Sequence, residues 1–357
     1  MANFGHGGDA KELSRKNKLE YNKIIDFSAN INPLGMPASV KEAIIDGLKE
    51  VEKYPDITYF ELKSAISEFE NIDKESIILG NGAAEVLFNI VRGLNPQNAL
   101  ILAPTFSEYE EATRAVSGNV IYYNLKEENK FKIQDDILEY INRELDVLFI
   151  CNPNNPTGVI TPKELLIRIL MKAKENDVIT IIDESFLDFI EEDVSMISYV
   201  NEYNNLIIIK SLTKFFALPG LRIGYGISGN SKLKREIEKI TPAWNINTLA
   251  EIAAKIGIKD KKYITESIKY VIKEKEYLYN ELKKNSELKL YEPSVNFILI
   301  KTCKNINLKE ELLKRNILIR SCSNYERLNK NYYRIAVRTH EENVILIEEI
   351  RRIFEEL

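Results

Sequence analysis

The residues best able to do chemistry stand in short motifs, each just after an apolar run. Lys214 lies in Ser211-Leu212-Thr213-Lys214-Phe215-Phe216, wedged between hydroxyls and aromatics. In apolar surroundings an ammonium loses hydration, its pKa falls, and the neutral amine becomes available as a nucleophile. Arg222 follows eight residues later, in Pro219-Gly220-Leu221-Arg222. Asp183 ends the β-branched run Val178–Ile182, where a carboxylate either caps the next helical turn or partners a buried cation. Asn155 belongs to Cys151-Asn152-Pro153-Asn154-Asn155-Pro156-Thr157-Gly158, whose two Asn-Pro steps force an irregular loop that is either a plain turn or a means of aiming an amide into a crevice. Gly82, Ala83 and Ala84 follow Ile77-Ile78-Leu79-Gly80-Asn81 and open a predicted helix. Small residues at such a helix end admit a phosphate to unpaired N–H groups, although a glycine turn after a strand is commonly only a turn. An aromatic segment, Pro104-Thr105-Phe106-Ser107, completes the set.

The pattern of apolar residues says what must position these groups. Short apolar runs at Ser76–Leu79, Ala99–Leu102, Val120–Tyr123, Asp146–Ile150, Val178–Ile182 and Leu206–Ile209 are each followed by a longer helical pattern. Buried strands alternating with helices predict an α/β fold with a largely parallel sheet, its strand-end loops free for function. Helical spacing precedes them at Ser39–Val51 and Tyr59–Glu70. From about residue 260 the texture changes to a long charged helix, then strands at Val295–Lys301, Ile317–Arg320 and Tyr333–Val337, with helices at Leu308–Arg315 and Glu341–Glu356. The expected division is an N-terminal arm with part of a small domain over 1–45, a large domain over 46–255, and a small C-terminal α+β domain over 256–357.

Composition removes other chemistries. The 357 residues are 45% hydrophobic, enough for two cores, and 49 basic against 54 acidic side chains give a net charge of −5. No basic excess advertises a nucleic-acid partner. The three cysteines, Cys151, Cys303 and Cys322, lack any C-x-x-C spacing, and the only histidines are His6 and His340. A disulfide framework, a His-ligated metal and a His-based hydrolase are therefore not expected. No window approaches the ~18 apolar residues of a membrane helix, no signal-peptide core is visible near the start, and a cytoplasmic protein is expected.

The order and spacing of the motifs, over nearly the whole chain, resemble the fold-type I pyridoxal-phosphate enzymes of the class I/II aminotransferase group. That resemblance implies a large domain with a mostly parallel seven-stranded sheet, a smaller α+β C-terminal domain and pyridoxal 5′-phosphate as cofactor. It implies that Lys214 holds the cofactor aldehyde as a Schiff base and later moves protons as the released amine, while Asp183 pairs with the pyridine nitrogen. Asn155 would bond the phenolic oxygen and Phe106 would stack on the ring. The backbone of Gly82, Ala83 and Ala84, with Ser211, Thr213 and Arg222, would hold the phosphate. Tyr54, in Lys53-Tyr54-Pro55-Asp56, matches a tyrosine that reaches the cofactor phosphate of the neighbouring subunit, which implies a homodimer.

Within the group, His6-Gly7-Gly8 followed by Asp26-Phe27-Ser28-Ala29-Asn30-Ile31-Asn32-Pro33-Leu34-Gly35 is similar to a branch that decarboxylates a phosphorylated amino acid. The transaminating relatives usually read NENPLG there without the leading HGG. Phe186, three after Asp183, stands where transaminases commonly have Tyr. The resemblance makes Arg320 and Arg334 anion-binding arginines of the substrate site, and Arg338, where the transaminating relatives more often have Gly, a third. For each the plain alternative is a surface salt bridge. Asn155 would also touch substrate, and His6, Gly7 and Asn32 would close the site as an N-terminal arm. The competing expectations are a transaminase and a non-catalytic sensor of the kind fused to DNA-binding helices. The HGG arm begins almost at once, with no winged helix expected ahead of it, and retention of Lys214, Asp183 and Asn155 favours an enzyme.

Overall fold

The structure is a computed structural model and describes residues 7–356. Thirteen strands run in chain order as β1 (Ile25–Asp26), β2 (Ile77–Gly80), β3 (Asn98–Ala103), β4 (Asn119–Asn124), β5 (Val147–Cys151), β6 (Ile179–Asp183), β7 (Leu206–Ser211), β8 (Gly224–Ile227), β9 (Leu288–Leu290), β10 (Phe297–Thr302), β11 (Ile317–Leu318), β12 (Arg320–Ser321) and β13 (Tyr332–Ala336). Seven of them form one sheet in the order β2-β8-β7-β6-β5-β3-β4, parallel except for β8, which is antiparallel to both neighbours. Its central strands read as continuous apolar runs because both faces are covered. Leu100, Leu148, Ile182 and Ile208 enter one core, and Ile101, Phe149, Ile181 and Ile207 the other.

The class I/II fold expected from the sequence is present: an α/β layer of seven strands and a separate antiparallel sheet, in the order β12-β13-β10-β9. The smaller sheet packs with the helices Lys261–Lys283 and His340–Glu355 through Leu278, Ile298, Ile335, Leu346 and Ile350. The last helix starts at a capping box between Thr339 and Glu342. Among the described residues no helix is long and apolar enough to cross a membrane.

Several local expectations need correction. The run read as one strand at Ile317–Arg320 is split: β11 pairs with β1 near the N-terminus, and β12 pairs with β13 in the small sheet. No long helix follows β6, only the single turns Leu187–Phe189 and Ile197–Tyr199, and β4 is followed by one turn, Glu127–Asn129, and a four-residue helix. β8 was not legible because its Gly-Tyr-Gly-Ile pattern lacks a strand's apolar density. Its glycines serve packing: a Cβ at Gly224 would lie 2.5 Å from the Ala83 nitrogen, so the helix Ala83–Leu94 can sit directly on this strand only if residue 224 has no side chain.

Candidate active site

β2, β3, β5, β6 and β7 all end at one edge of the sheet, where open α/β sheets leave a crevice for ligands. A cavity of about 520 Å³ opens there. Lys214 enters it from the four-residue helix Leu212–Phe215, directly after β7, and its Nζ donates to Ser211 Oγ at 3.1 Å. Burial pushes the ammonium pKa below its usual value, against the opposing pull of the Asp183 charge.

The lysine turn is clamped from behind. The Asn32 N–H donates to the Lys214 carbonyl at 3.0 Å, and the Asn32 amide donates to the Phe215 carbonyl and Ser267 Oγ, both at 2.8 Å. This corrects the expectation that Asn32 closes the substrate site: the chain turns at Asn32, whose Oδ1 accepts the Leu34 N–H, and the turn carries the amide beneath the lysine. Asn30 lines the cavity instead, with both its amide nitrogen and its carbonyl oxygen unpartnered. Sequence reading passed over it because a single Asn in a loop resembles any other.

Asp183 closes β6 and is almost fully buried. Its Oδ1 accepts the Ser185 N–H at 2.9 Å and its Oδ2 accepts the Tyr109 hydroxyl at 2.8 Å. Tyr109, one of 18 tyrosines and not singled out by any motif, stacks on Phe149 and is kept protonated well above the usual phenol range by burial and by the Asp183 charge. Beside it, Cys151 pairs in register with Asp183, and burial pushes its thiol up to about 12, so it contributes a neutral wall. Phe106 lines the cavity and meets Tyr109 edge-on at 5.7 Å. Phe186 also lines it, with the Lys214 Nζ 5.7 Å from the ring centroid.

Opposite the aspartate, Ala83 and Ala84 begin the twelve-residue helix Ala83–Leu94 and face the cavity. Ser211 Oγ and Thr213 Oγ1 lie 2.9 Å apart at its rim beside Arg222. Gly82 has φ +89°, and a Cβ there would come within 2.5 Å of Arg222 Nη2. A helix end, two hydroxyls and a guanidinium around a floor with no room for a side chain form an anion cradle.

The third wall comes from the small sheet. Arg320 on β12 and Arg334 on β13 are register partners, both almost fully buried, and both line the cavity. Arg334 donates from Nη1 to Asn155 Oδ1 at 2.5 Å and from Nη2 to the Ser28 carbonyl at 2.8 Å. Arg320 donates from Nη2 to Asn324 Oδ1 at 2.8 Å. The Nε of each has no partner, and among the described residues neither makes an ion pair. The Tyr325 hydroxyl also donates to Asn155 Oδ1, at 3.3 Å, so the Asn155 side chain has only its N–H groups to offer a ligand. Tyr325 went unnoticed in the sequence; its only cue is an aromatic placed between two arginines.

Other expected site residues fall elsewhere. Arg338 does not line the cavity: its Nε and Nη2 donate to Glu342 at 3.1 and 2.9 Å, an i,i+4 pair at the start of the last helix, so the expected third anion contact is an ordinary salt bridge. Tyr54 is 81% exposed and packs on Trp244 in a separate groove. His6 lies outside the described residues. Gly7 does line the cavity, and a Cβ there would sit 2.1 Å from the Ser28 carbonyl oxygen and 3.3 Å from Arg334 Nη2. Among the described residues no group of three or more His, Cys, Asp or Glu side chains could hold a metal.

Residues 22–350 match the family described as aminotransferase class I and II, and the chain belongs to that family. Over 99% of its length it is 35% identical to the threonine-phosphate decarboxylase of Salmonella typhimurium, 97% of which is covered. It also superposes on the histidinol-phosphate aminotransferase of Clostridium acetobutylicum with a TM-score of 0.88 at 34% identity, covering 93% of this chain and 99% of the other. The histidinol-phosphate aminotransferase of Sinorhizobium meliloti in complex with pyridoxal-5′-phosphate shares the fold, with a TM-score of 0.84 at 20% identity over 96% and 95% of the two chains. The cofactor of this family is pyridoxal 5′-phosphate. The cavity suits it: the anion cradle matches a phosphate, Lys214 an aldehyde, and Asp183 a protonated ring nitrogen.

Proposed function

We propose that this protein is a pyridoxal-phosphate-dependent carboxy-lyase that converts L-threonine O-3-phosphate to (R)-1-amino-2-propanol O-2-phosphate, as in cobalamin biosynthesis. The observation that carries this reading is the pair of buried arginines, Arg320 and Arg334, which line the same cavity as Lys214 and, among the described residues, form no ion pair with the carboxylates that also line it, Asp26, Glu108 and Asp183. Two buried guanidinium groups without counter-charge are costly unless a ligand brings one, and a phosphorylated amino acid brings both a phosphate and a carboxylate. The choice of decarboxylation is supported by Phe186, which gives the cavity wall no hydroxyl, by Gly7 lying close against Arg334, and by the similarity to the Salmonella decarboxylase.

Pyridoxal 5′-phosphate, when bound, supplies an electron sink for the pair left at Cα as a substrate bond breaks. Gly82, Ala83, Ala84, Ser211, Thr213 and Arg222 would hold its phosphate. Phe106 would cover one face, Asp183 would keep the ring nitrogen protonated, and the Asn155 amide would donate to the phenolic oxygen. Burial makes the neutral amine of Lys214 more accessible, so Nζ can take a proton and return it to Cα. Arg334 and Arg320 would grip the two anionic ends of the substrate. By fixing the orientation of the substrate carboxylate, they would decide that the bond to carbon dioxide, rather than the Cα–H bond, is the one cleaved. Asn30 is positioned for a further polar contact to the same substrate, beside Gly7 and the arm.

The same reading includes a homodimer of two-domain subunits, with Tyr54 reaching the neighbouring cofactor phosphate. It is supported by the exposed apolar side chains Val51 and Trp244, which line one groove with that tyrosine. The test is carbon dioxide release from L-threonine O-3-phosphate by the holoenzyme without any keto acid, together with sedimentation of the protein. Release with formation of the amino alcohol phosphate supports the reading. No release, with conversion of histidinol phosphate once 2-oxoglutarate is added, would replace it with the transaminase that the Clostridium relative exemplifies.

A further inference from the structure

Away from the cavity, one carboxylate gathers four donors from the small sheet. Glu127 sits in the single turn Glu127–Asn129 that comes after β4. Its Oε1 accepts Lys289 Nζ and the Tyr291 hydroxyl, both at 2.6 Å; its Oε2 accepts the Tyr332 hydroxyl at 2.6 Å and Lys301 Nζ at 2.9 Å. These donors come from β9 or just after it, from β10 and from β13, so one side chain of the seven-stranded layer ties three adjacent strands of the other sheet. Phe131 reinforces the joint, meeting Tyr291 edge-on at 5.1 Å and Tyr332 at 6.3 Å. Burial acts to push the Glu127 carboxyl up, but the lysine and tyrosine donors outweigh it and hold the group well below the usual carboxylate range, so it stays an ionised, acceptor-only anchor.

This joint holds the arginine wall. Tyr332 and Arg334 are two residues apart on β13, on the same face, and pair in register with Lys301 and Leu299 of β10. We propose that Glu127 is a positioning residue that fixes β13, and with it the Arg334 guanidinium, over the lysine-bearing end of the large sheet. The inference rests on Arg334 being a substrate anion contact. The cavity chemistry uses none of the four donors, and two are partly exposed lysines whose ion pairs alone add little stability. Their convergence on a single carboxylate nevertheless sets the separation of the two sheets where a guanidinium from one must meet Asn155 and an anion held by the other. Displacement of a binding group by about 1 Å can cost up to about a hundredfold.

The test combines Glu127→Gln and Glu127→Ala with Arg334→Ala in the holoenzyme, reading kcat and KM for L-threonine O-3-phosphate and, independently of turnover, the calorimetric Kd for inorganic phosphate. Glu127→Ala should raise both KM and Kd about tenfold and also lower kcat, because a displaced Arg334 both grips the anion less well and orients the carboxylate less well. The visible absorption of the bound cofactor should not change, and Glu127→Gln, which keeps one acceptor oxygen, should fall between. In the Arg334→Ala background, removing Glu127 should change Kd less than about twofold, because groups acting through one another are not additive. Unchanged Kd and KM in Glu127→Ala, or effects that multiply with those of Arg334→Ala, would overturn the proposal. If Arg334→Ala alone leaves Kd and KM as they were, the anion-contact reading itself fails; a failure confined to Glu127 would leave the Arg334 effect intact. Should the alanine variant not fold, Glu127→Gln carries the same comparison.

Discussion

The arginine pair makes a quantitative prediction about the protein without substrate. Arg320 and Arg334 stand directly opposite each other on antiparallel strands, and among the described residues neither is ion-paired with a carboxylate. If the two guanidinium charges lie about 7 Å apart, their repulsion at an effective dielectric of 20 is about 2.4 kcal/mol. Replacing Arg320 with Met removes that repulsion and keeps most of the side-chain volume, at the expense of its hydrogen bond to Asn324, worth about 1.5–3 kcal/mol. The terms nearly cancel, so Arg320→Met should change the unfolding free energy by less than about 1 kcal/mol, whereas breaking a buried pair would cost about 3–5 kcal/mol. The assay is urea unfolding of the holoenzyme in buffer free of phosphate and sulfate, repeated with L-threonine O-3-phosphate. Ligand at a hundred times its Kd should stabilise the parent protein by about 2.7 kcal/mol and the variant by much less at the same concentration. A loss of 3 kcal/mol or more without ligand would refute the reasoning, because Arg320 would then be balanced by the protein rather than waiting for an anion.

The same geometry carries three further outcomes. Tyr109→Phe should destabilise the holoenzyme by about 1.5–3 kcal/mol in urea unfolding, since the buried Asp183 loses one of its two donors while the ring stack on Phe149 persists; a change below 0.5 kcal/mol (on the order of measurement error) would contradict it. Gly82→Ala combines a positive φ with a Cβ 2.5 Å from Arg222 and should weaken cofactor binding at least about tenfold in equilibrium dialysis, a cost of ~1.4 kcal/mol, with unaltered affinity counting against the cradle. Glu184, fully buried beside the site, has its carboxyl raised to about 7 by burial, against the opposing charge of Lys210. Its folded pKa lies above the unfolded value, so its proton favours the folded state below about pH 4.5, and that stability is lost as pH rises through 7. Glu184→Gln should therefore flatten the stability profile between pH 5 and 8 by up to about 3 kcal/mol, and a profile parallel to the parent's would exclude this role.

The sequence was most informative where chemistry forces an unusual local pattern. A lysine between hydroxyls, an acid ending a β-branched strand and a doubled Asn-Pro loop all mark strand ends, and the structure brings Lys214, Asp183 and Asn155 to one cavity. The features that escaped notice depend on tertiary contact. Asn30 and Asn32 are the same residue type two positions apart, yet only the turn at Asn32 directs one beneath the lysine and leaves the other in the cavity. Arg334 and Arg338 are equally plausible by type, but Glu342, one helical turn beyond Arg338, takes that guanidinium away. β8 was hidden because its glycines answer to the helix Ala83–Leu94 packed on them rather than to strand propensity. Glu127 had no cue at all, since its four partners lie between 162 and 205 residues away along the chain.

The most direct test of the central assignment uses L-threonine O-3-phosphate labelled at the carboxyl carbon, given to the holoenzyme with and without 2-oxoglutarate. The arrangement of Arg320, Arg334 and Lys214 predicts that the label leaves as carbon dioxide in a one-to-one ratio with amino alcohol phosphate, whether or not the keto acid is present. Label retained in an organic acid, formed only when 2-oxoglutarate is supplied, would contradict it.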